Sequence, residues 1–373
     1  MSGFAGTTVE YAGTSYEIPK GSPSWFTSEG LPKSIFLNKK FIVPWDLGIC
    51  DKTRAEGFKF MKKRLTRPSP ACPKAQVSSM FPRTPPSIPA SASSSTWISH
   101  ATVLVKMGGT TILTDPVFSP RCSPFTFAGP KRYTEPGMSI DSLPPIDIVV
   151  ISHDHYDHLD TASLKKIHAL QPKIRYFVPM KTKSVLTKIG IPPANVSELS
   201  WWDEREHAGA RIVCTPCQHW CCRAPWDRNS RLWASWVVIV GEERFFFGGD
   251  TGRPERFPLF QQIGDKFGPF DHAAIPIGAF EPRWFMAPAH CDPQSAVRIH
   301  KEIRSRQSLA IHWGTFPLAD DPFYKAPQEL RVALAEEGLS FDSDFACLRH
   351  GETLAFGGAT EAARNFDELL NAP

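Results

Sequence analysis

One run of seven residues holds five side chains that can bind a metal ion. It reads Ser152-His153-Asp154-His155-Tyr156-Asp157-His158. The apolar, β-branched stretch 146–151 directly precedes it, which predicts a buried strand that ends in a ligand-rich loop. His153 and His155, two apart on extended chain, point to the same side and can bind one ion. Asp157 and His158 can face a second ion, because imidazole and carboxylate both bind zinc and neighbouring transition metals.

Single candidate ligands also follow three strand-like runs further along the chain. His219 follows 211–216, Asp250 follows 244–249 and His312 follows 308–311. One such residue alone is most often structural, but four strand ends that meet at one edge predict a shared site. Gly248 and Gly249, directly before Asp250, suit a position where backbone must approach closely. The pattern therefore predicts a site for two metal ions.

The order of these ligands, H-x-H-x-D-H followed by His, Asp and His, resembles the metallo-β-lactamase superfamily. Further motifs between about Thr96 and about Gly351 resemble one member family, the N-acyl-phosphatidylethanolamine-hydrolysing phospholipases D. These motifs lie at 96–102, 113–119, 129–132, 143–147, 218–221, 232–236, 267–271, 275–286 and 310–316. They are far more specific than the metal signature, which is shared by hydrolases of many substrates.

The resemblance implies a fold, a cofactor and an activity. The fold is α+β, an αββα sandwich of two mixed β-sheets with outer helices, and it would occupy residues 96–373. The cofactor is two zinc ions per chain. Those ions would be held by His153, His155 and His219, by Asp157, His158 and His312, and by a bridging Asp250. The activity is attack of a metal-bridging hydroxide on phosphorus, which releases N-acylethanolamine and phosphatidic acid.

The resemblance also implies roles for individual residues. Asp157 and Asp250 are the expected catalytic carboxylates, and Tyr156 and His290 the expected substrate contacts. Ordinary packing of Tyr156 and an ordinary helix-start role for His290 stay open as alternatives. Asp115, at a strand end, is a candidate to orient an imidazole. His100 lies near the expected site, but nothing in the sequence assigns it a role.

Three positions depart from the family pattern without touching the expected ligands. Asp154 stands where Asn is expected, Ser99 where Gly is expected, and Ala289 where a polar residue is expected. Another phosphodiester or a lactone is therefore an alternative substrate. A non-catalytic lipid-binding module is a third possibility, against which the complete ligand set argues.

Cysteine usage bears on the compartment and on a second metal site. The chain has nine cysteines, an odd number, and no apolar secretory signal at its start, so we expect reduced thiols and a cytosol-facing protein. Cys214, Cys217, Cys221 and Cys222 flank His219. Their spacing lacks the distant second pair of a structural zinc site, which favours small packing residues.

The N-terminal 95 residues differ in charge from the rest. They hold 13 Lys and Arg against 6 Asp and Glu, a net charge of +7, whereas the whole chain carries only +4. We expect them to form a separate extension, with a Pro- and Ser-rich linker at 68–95. At 58–65, Phe58, Met61 and Leu65 share one face of a predicted basic helix. This helix can lie on an anionic membrane surface or pack on the core.

The expected partners follow from these features. They are a membrane phospholipid as substrate, a peripheral membrane contact through the N-terminal region, and a second copy of the chain, since the family implies a homodimer. No nucleic acid is expected, because no reading motif accompanies the basic charge. The expected location is the cytoplasmic side of intracellular membranes.

A coarse reading of periodicity places these motifs on strands and helices. It predicts strands at 103–105, 110–113, 174–178, 233–240 and 244–247, with hairpins around Gly108-Gly109 and around 241–243. It predicts helices at 163–170, 181–189, 293–303 and 327–337. Asp292 followed by Pro293 is a typical helix start.

Overall fold

The structure, a computed structural model, describes residues 7–11, 13–18, 23–45, 92–341 and 343–357. The basic helix predicted at 58–65 and most of the linker predicted at 68–95 lie outside this part of the chain. In the described residues, no helix has both the length and the apolar character needed to cross a bilayer.

Two short hairpins form at the N-terminal end of the described chain. The first pairs β1 (Thr7–Tyr11) with β2 (Thr14–Ile18), and the second pairs β3 (Ile35–Leu37) with β4 (Lys40–Ile42). Residues 23–45 pack on the main body, where Phe26, Phe41 and Val43 join the central core. Trp45 stacks on Trp201 and Phe257, with ring centres 5.7 and 5.4 Å apart. This part of the extension is thus attached to the domain that follows it, while the predicted division at residue 95 stays a prediction.

The first large sheet has seven strands in the order β10-β9-β8-β7-β6-β5-β18. They are β5 (Ser94–Ser99), β6 (Thr102–Met107), β7 (Thr110–Thr114), β8 (Ile148–Val150), β9 (Arg175–Pro179), β10 (Val196–Leu199) and β18 (Thr353–Ala355). The predicted hairpin around Gly108-Gly109 joins β6 to β7 and is confirmed. The strands β7, β8, β9 and β10 run parallel, so the sheet is mixed.

The second large sheet also has seven strands and follows the chain order β11-β12-β13-β14-β15-β16-β17. They are β11 (Glu204–His207), β12 (Ala210–Thr215), β13 (Ser235–Val240), β14 (Glu243–Phe247), β15 (His272–Pro276), β16 (Ser308–Ile311) and β17 (Phe345–Ala346). The predicted hairpin around 241–243 joins β13 to β14 and is confirmed. From β14 onward the strands are parallel, so this sheet is mixed as well.

Six α-helices accompany the sheets in the described chain. They are α1 (Thr161–Leu170), α2 (Lys183–Lys188), α3 (Leu259–Phe267), α4 (Arg283–Met286), α5 (Pro293–Glu302) and α6 (Lys325–Glu336). The predicted start of α5 is confirmed, because the Asp292 side chain accepts a hydrogen bond from the Ser295 backbone N–H and Pro293 occupies the first turn. With helices outside two mixed sheets, the αββα sandwich is confirmed.

The strand before the ligand loop shows why its sequence is apolar without a break. Ile148 and Val150 belong to the core that includes residues of both sheets, whereas Val149 and Ile151 belong to a second cluster with residues of α1 and α2. Successive side chains of a strand alternate between its faces, so a strand covered on both faces needs apolar residues at every position. This burial fixes the loop that follows it.

Candidate metal centre

The structure brings all seven predicted ligands together at one edge of the sandwich. Together with His100 they form two groups, and within each group the ligating atoms lie within 4.8 Å of one another. The first group is His153, His155, His219 and Asp250, and the second is Asp157, His158, His312 and His100. Each member follows the end of a strand, namely β5, β8, β12, β14 or β16. The convergence of strand ends predicted from the sequence is therefore what the fold produces.

The carboxylate of Asp250 lies between the two groups. Its Oδ2 is 3.1 Å from Nε2 of His158, 3.7 Å from Nε2 of His219 and 3.9 Å from Nε2 of His153. Its Oδ1 is 2.9 Å from Nε2 of His312. One residue thus faces both sets of imidazoles, as a bridging ligand must.

The glycine before Asp250 allows this approach. Gly249 has φ +59°, and a Cβ at this position would lie 2.5 Å from Cβ of Ser152, closer than real side chains come. Any larger residue would push the Asp250 loop away from the loop that begins at Ser152. The close approach expected from the two glycines is confirmed here.

The donor atoms fit a cation. Nε2 of His153 lies 2.8 Å from Nδ1 of His155, which is 3.2 Å from Nε2 of His219. In addition, Nε2 of His158, Nε2 of His312 and Oδ1 of Asp250 are buried without a hydrogen bond of good geometry. Each unsatisfied buried polar atom costs about 1–3 kcal/mol. Nitrogen and oxygen donors facing inward in this way are an arrangement that bound divalent ions satisfy.

The electrostatics of the first group prepare its imidazoles for metal binding. Burial lowers the pKa of His153 well below its ordinary value, that of His155 to about 4 and that of His219 to about 3. These rings are consequently neutral near pH 7. Neutral imidazole is the form that coordinates a metal ion.

For Asp157, His158 and His312, and for Asp250 beside them, charge outweighs burial. Burial alone would raise the pKa of Asp157 and Asp250, but the neighbouring His158 holds both values well below the ordinary range. The two carboxylates in turn raise the pKa of His158 well above its ordinary value, and Asp250 above all raises that of His312 to about 9. Protons and metal ions therefore compete for these two histidines.

Hydrogen bonds from outside the cluster fix the ring orientations. Nδ1 of His158 donates to Oδ2 of Asp115 at 2.6 Å, and Asp115 also accepts the Ser152 backbone N–H at 2.7 Å. Nδ1 of His219 donates to the Ala289 carbonyl oxygen at 2.8 Å. Both rings consequently turn Nε2 toward Asp250. The expectation that Asp115 orients an imidazole is confirmed.

The two predicted substrate contacts lie in different surroundings. His290 is at the cluster, with Nδ1 3.8 Å from Oδ2 of Asp250, and burial lowers its pKa to about 3. The hydroxyl of Tyr156 instead donates to the Arg223 carbonyl oxygen at 3.0 Å, and the guanidinium of Arg223 lies 4.1 Å from the centre of the tyrosine ring. The structure thus places only His290 beside the ligands, and contact of either residue with a substrate stays a prediction.

Asp154, which departs from the family pattern, faces away from the ligands. Its Oδ2 is 2.7 Å from the Arg231 guanidinium, and its Oδ1 accepts the Cys222 backbone N–H at 2.9 Å. The side chain thus joins the ligand loop to the segment that follows His219. A change at this position would therefore act first on the contact between these two loops.

Sequence reasoning missed the role of His100. Its Nε2 lies 2.9 Å from Oδ2 of Asp157, as close as a hydrogen bond requires. The available signal was its position just after β5, the same strand-end position that marks His219 and His312. Because His100 has no other candidate ligand beside it in the sequence, this signal was too weak to assign it a role.

The cysteines near His219 pack individually. Sγ of Cys221 donates to the Arg231 carbonyl at 2.9 Å, and Sγ of Cys222 to the Ala224 carbonyl at 3.1 Å. Over the described residues, none of the side-chain groups with metal-binding spacing contains a cysteine. The seven described cysteines form no disulfide. These observations support the packing role favoured from the sequence.

Comparison with known proteins adds independent evidence. The Beta-lactamase superfamily domain model matches residues 110–313. The chain is 46% identical over 266 residues to N-acyl-phosphatidylethanolamine-hydrolyzing phospholipase D 1 of Caenorhabditis elegans, covering 69% of this chain and 74% of the relative. It is 35% identical to the mitochondrial N-acyl-phosphatidylethanolamine-hydrolyzing phospholipase D of Saccharomyces cerevisiae, covering 70% of this chain and 55% of the relative. It therefore spans about half the length of the yeast protein.

A solved structure supports the fold. The metallo hydrolase of the archaeon Ignicoccus hospitalis is 21% identical, with a TM-score of 0.52, covering 71% of this chain and 99% of that protein. Similarity at this level identifies the architecture and leaves the substrate open.

Proposed function

This chain belongs to the N-acyl-phosphatidylethanolamine-hydrolysing phospholipase D family of the beta-lactamase superfamily, and from this membership we propose its substrate and cofactor. The chain is a metal-dependent hydrolase of the phospholipase D type. The proposed substrate is N-acyl-phosphatidylethanolamine, and the proposed cofactor is two zinc ions. The observation that carries the substrate proposal is the 46% identity to the worm relative of that name, extending over 266 residues.

We assign as ligands the seven predicted residues of the two groups described above, leaving out His100. His153, His155 and His219 would hold the first ion, Asp157, His158 and His312 the second, and Asp250 would contact both. When bound, two divalent ions lower the pKa of a coordinated water and offset negative charge on phosphate oxygens. The mixture of imidazole and carboxylate donors suits zinc.

The protein's own residues make the site ready for phosphodiester hydrolysis. Asp115 and the Ala289 carbonyl hold the rings of His158 and His219 in fixed orientations, so little reorganisation is needed when the substrate binds. In the proposed reaction the oxygen of water bonds to phosphorus and the bond from phosphorus to the N-acylethanolamine oxygen breaks. The departing oxygen takes up a proton, and phosphatidic acid remains.

His290 is the proposed contact for the substrate phosphate. It lies beside Asp250, and its lowered pKa leaves the ring neutral near pH 7 with one N–H able to donate a hydrogen bond. Tyr156 is the second proposed contact, although its hydroxyl must first leave the Arg223 carbonyl. An increased KM with unchanged metal content in His290→Ala would support the assignment of His290 as a substrate contact.

The proposed activity has a direct test. Purified protein loaded with zinc is incubated with N-acyl-phosphatidylethanolamine, and released N-acylethanolamine and phosphatidic acid are measured by mass spectrometry. We expect both products in equal amounts, and neither from Asp250→Asn. In parallel, bis(p-nitrophenyl) phosphate and a simple lactone are offered. Turnover of one of these without N-acylethanolamine release would refute the proposed substrate.

The alternative, a hydrolase of another phosphodiester or of a lactone, is favoured by two departures near the site. Ala289 stands where a polar side chain is expected, directly before His290, which lies beside Asp250. Asp154 links the ligand loop to the segment 222–231. Both changes can alter which headgroup fits. A non-catalytic lipid-binding module is the remaining option, and metal analysis that finds no bound ion would support it.

We also propose peripheral contact with the cytoplasmic side of intracellular membranes through the N-terminal basic region, and a homodimer. Truncating the N-terminal region would also remove residues 23–45, which pack on the domain. A loss of membrane binding could then not be distinguished from a loss of stability. Replacing Lys59, Lys62 and Lys63 with glutamine is a sharper test. Sedimentation with anionic vesicles should fall, and unchanged sedimentation would refute the contact. Light scattering of the intact protein tests the dimer.

A further inference from the structure

We propose that His100 is a positioning residue, whose imidazole Nε2 holds the carboxylate of Asp157 in the orientation needed at the second group of ligands. The inference deepens the proposed two-metal function and rests on it for its catalytic consequence. Its structural basis is the 2.9 Å contact between Nε2 of His100 and Oδ2 of Asp157.

The backbone aims His100 at the cluster. Its φ is +51°, in the left-handed region that residues other than glycine seldom adopt. Three hydrogen bonds hold this conformation: Nε1 of Trp97 and the backbone N–H of His312 donate to the His100 carbonyl, at 2.8 and 3.0 Å, and the His100 N–H donates to Oγ1 of Thr315 at 2.9 Å. Strained residues held this firmly are concentrated at functional sites.

The surroundings keep the ring from turning. His100 is only 1% exposed, and its ring centre is 4.1 Å from that of His312. The Phe316 ring stands nearly perpendicular to it, with ring centres 5.2 Å apart. Its carbonyl also receives the His312 N–H, so the residue is joined to one predicted ligand by its backbone and to another, Asp157, by its side chain. His100 therefore links two ligands that come from distant parts of the chain.

Asp157 is the ligand that most needs such support. It lies in the turn that follows β8, and its side chain is 13% exposed, whereas that of Asp250 is 1% exposed. Its Oδ2 is 3.3 Å from Nε2 of His158 and 3.4 Å from Nε2 of His312, the two rings it would join in holding an ion. The contact with His100 is the shortest of the three, and it comes from a residue that is almost fully buried.

Two variants separate the role of the N–H from that of the ring. His100→Phe keeps the packing against His312 and Phe316 but has no N–H, whereas His100→Gln keeps an N–H donor without the ring. The matched control is His272→Phe, because His272 is an equally buried histidine bonded to Ser95 outside the site. Metal-free protein is titrated with Zn²⁺ against a competing chelator, and Co²⁺-loaded protein is examined by absorption spectroscopy.

We expect His100→Phe to weaken the second metal equivalent by roughly 10–100-fold, the usual effect of removing a partner of a metal ligand, and to leave the first unchanged. His100→Gln should recover most of the loss, and His272→Phe should bind both equivalents like the wild type. At saturation the Co²⁺ spectrum of His100→Phe should match the wild type, because no ligand is lost.

Two results would overturn the inference. Unchanged affinity for the second equivalent in His100→Phe would show that the contact does not matter, and an altered Co²⁺ spectrum at saturation would make His100 a ligand. The titration uses no substrate, so a failure to hydrolyse N-acyl-phosphatidylethanolamine would refute the proposed function while leaving this inference standing. A wild-type protein that binds no second equivalent would refute both.

Discussion

A single carboxylate between two groups of imidazoles makes Asp250 the residue on which the site depends most. Each predicted ion has three other expected ligands, and Asp250 lies near imidazoles of both sets. Its negative charge also offsets the mutual repulsion of two divalent ions, which no neutral side chain can do. Removing that charge affects both positions at once.

We expect Asp250→Asn to lower activity by more than about 100-fold, beyond the range usual for residues that only support a ligand, and to lower the bound metal below two equivalents. The amide keeps the shape of the side chain and loses its charge. Activity and metal content are measured on the same sample. Asp321→Asn is the control, because Asp321 is a carboxylate whose pKa burial raises to about 6 and which accepts backbone N–H groups outside the cluster. Full metal content in Asp250→Asn would contradict the bridging role.

The support that Asp115 gives His158 leads to a second prediction. Asp115→Asn should weaken the second metal equivalent by about 10–100-fold while the fold is retained, because the amide is a poorer acceptor for the Nδ1–H of His158. Chelator competition measures the affinity, and circular dichroism checks the fold. If the first equivalent weakens instead, the assignment of His158 to the second group is wrong.

The sequence predicts the ligands well and their neighbours poorly, for a physical reason. A histidine or aspartate after an apolar strand has its position fixed by that strand, so His219, Asp250 and His312 could be predicted one at a time. The orientation of Tyr156 depends on Arg223, 67 residues away, and no local pattern carries that information. The contact of His100 with Asp157 crosses 57 residues and was missed for the same reason.

At the scale of elements, the strands and hairpins could be predicted from local sequence, whereas the packing of residues 23–45 on the domain could not. Glycines with positive φ at 108, 109 and 241 close the two predicted hairpins. The apolar run before the ligand loop is explained by burial on both faces of β8. In the sequence, Trp45 is only one of several aromatic residues near lysines. Its stacking partners Trp201 and Phe257 are more than 150 residues away, so no local pattern predicts the contact.

Residues 23–45 contact a loop of the site through a hydrogen bond of Trp45. Nε1 of Trp45 donates to Oε1 of Gln218 at 2.9 Å. Gln218 precedes His219. Its backbone N–H donates to Oγ1 of Thr251, and its Nε2 donates to the Pro288 carbonyl oxygen. Thr251 follows Asp250 in the sequence. The segment thus braces the loops that carry two predicted ligands.

Trp45→Ala should consequently lower the free energy of unfolding by about 3–5 kcal/mol, the cost of removing a large buried aromatic side chain. Trp45→Phe keeps the stacking and should cost about 1 kcal/mol for the lost hydrogen bond. Urea denaturation measures both. Trp226→Ala is the control, because Trp226 is 85% exposed and should change stability little. Equal stability of Trp45→Ala and the wild type would mean that residues 23–45 do not pack on the domain.

At the scale of the whole molecule, the excess positive charge lies in the N-terminal extension, whereas buried neutral histidines lie inside the sandwich. The first 95 residues carry a net charge of +7, whereas the whole chain carries only +4. The sandwich itself is therefore slightly acidic, and the predicted lipid contact depends on the N-terminal extension. Inside the sandwich, several histidines away from the ligand cluster are buried and neutral. Burial lowers the pKa of His272 to about 3, that of His300 to about 4 and that of His350 to about 3.

These buried histidines make the fold sensitive to acid. Their folded pKa values lie below the unfolded value of about 6.5, so the unfolded chain binds more protons as the pH falls. Their contribution to stability is complete above pH 6.5 and is lost as the pH drops toward 4 and then 3. At pH 5 the loss is up to about 2 kcal/mol for each histidine, since one pKa unit corresponds to about 1.4 kcal/mol.

The measurement is urea denaturation of metal-free protein at pH 7.5 and pH 5.0, compared with His272→Phe. We expect the wild type to lose stability on acidification, and the variant to lose about 2 kcal/mol less, because it has one fewer buried imidazole to protonate. His272 is suited to this test because its contacts, Ser95 at 2.8 Å and the ring of Phe356 at 4.5 Å, lie outside the ligand cluster. If wild type and variant lose equal stability between the two pH values, His272 keeps an ordinary pKa in the folded protein and the acid sensitivity has another origin.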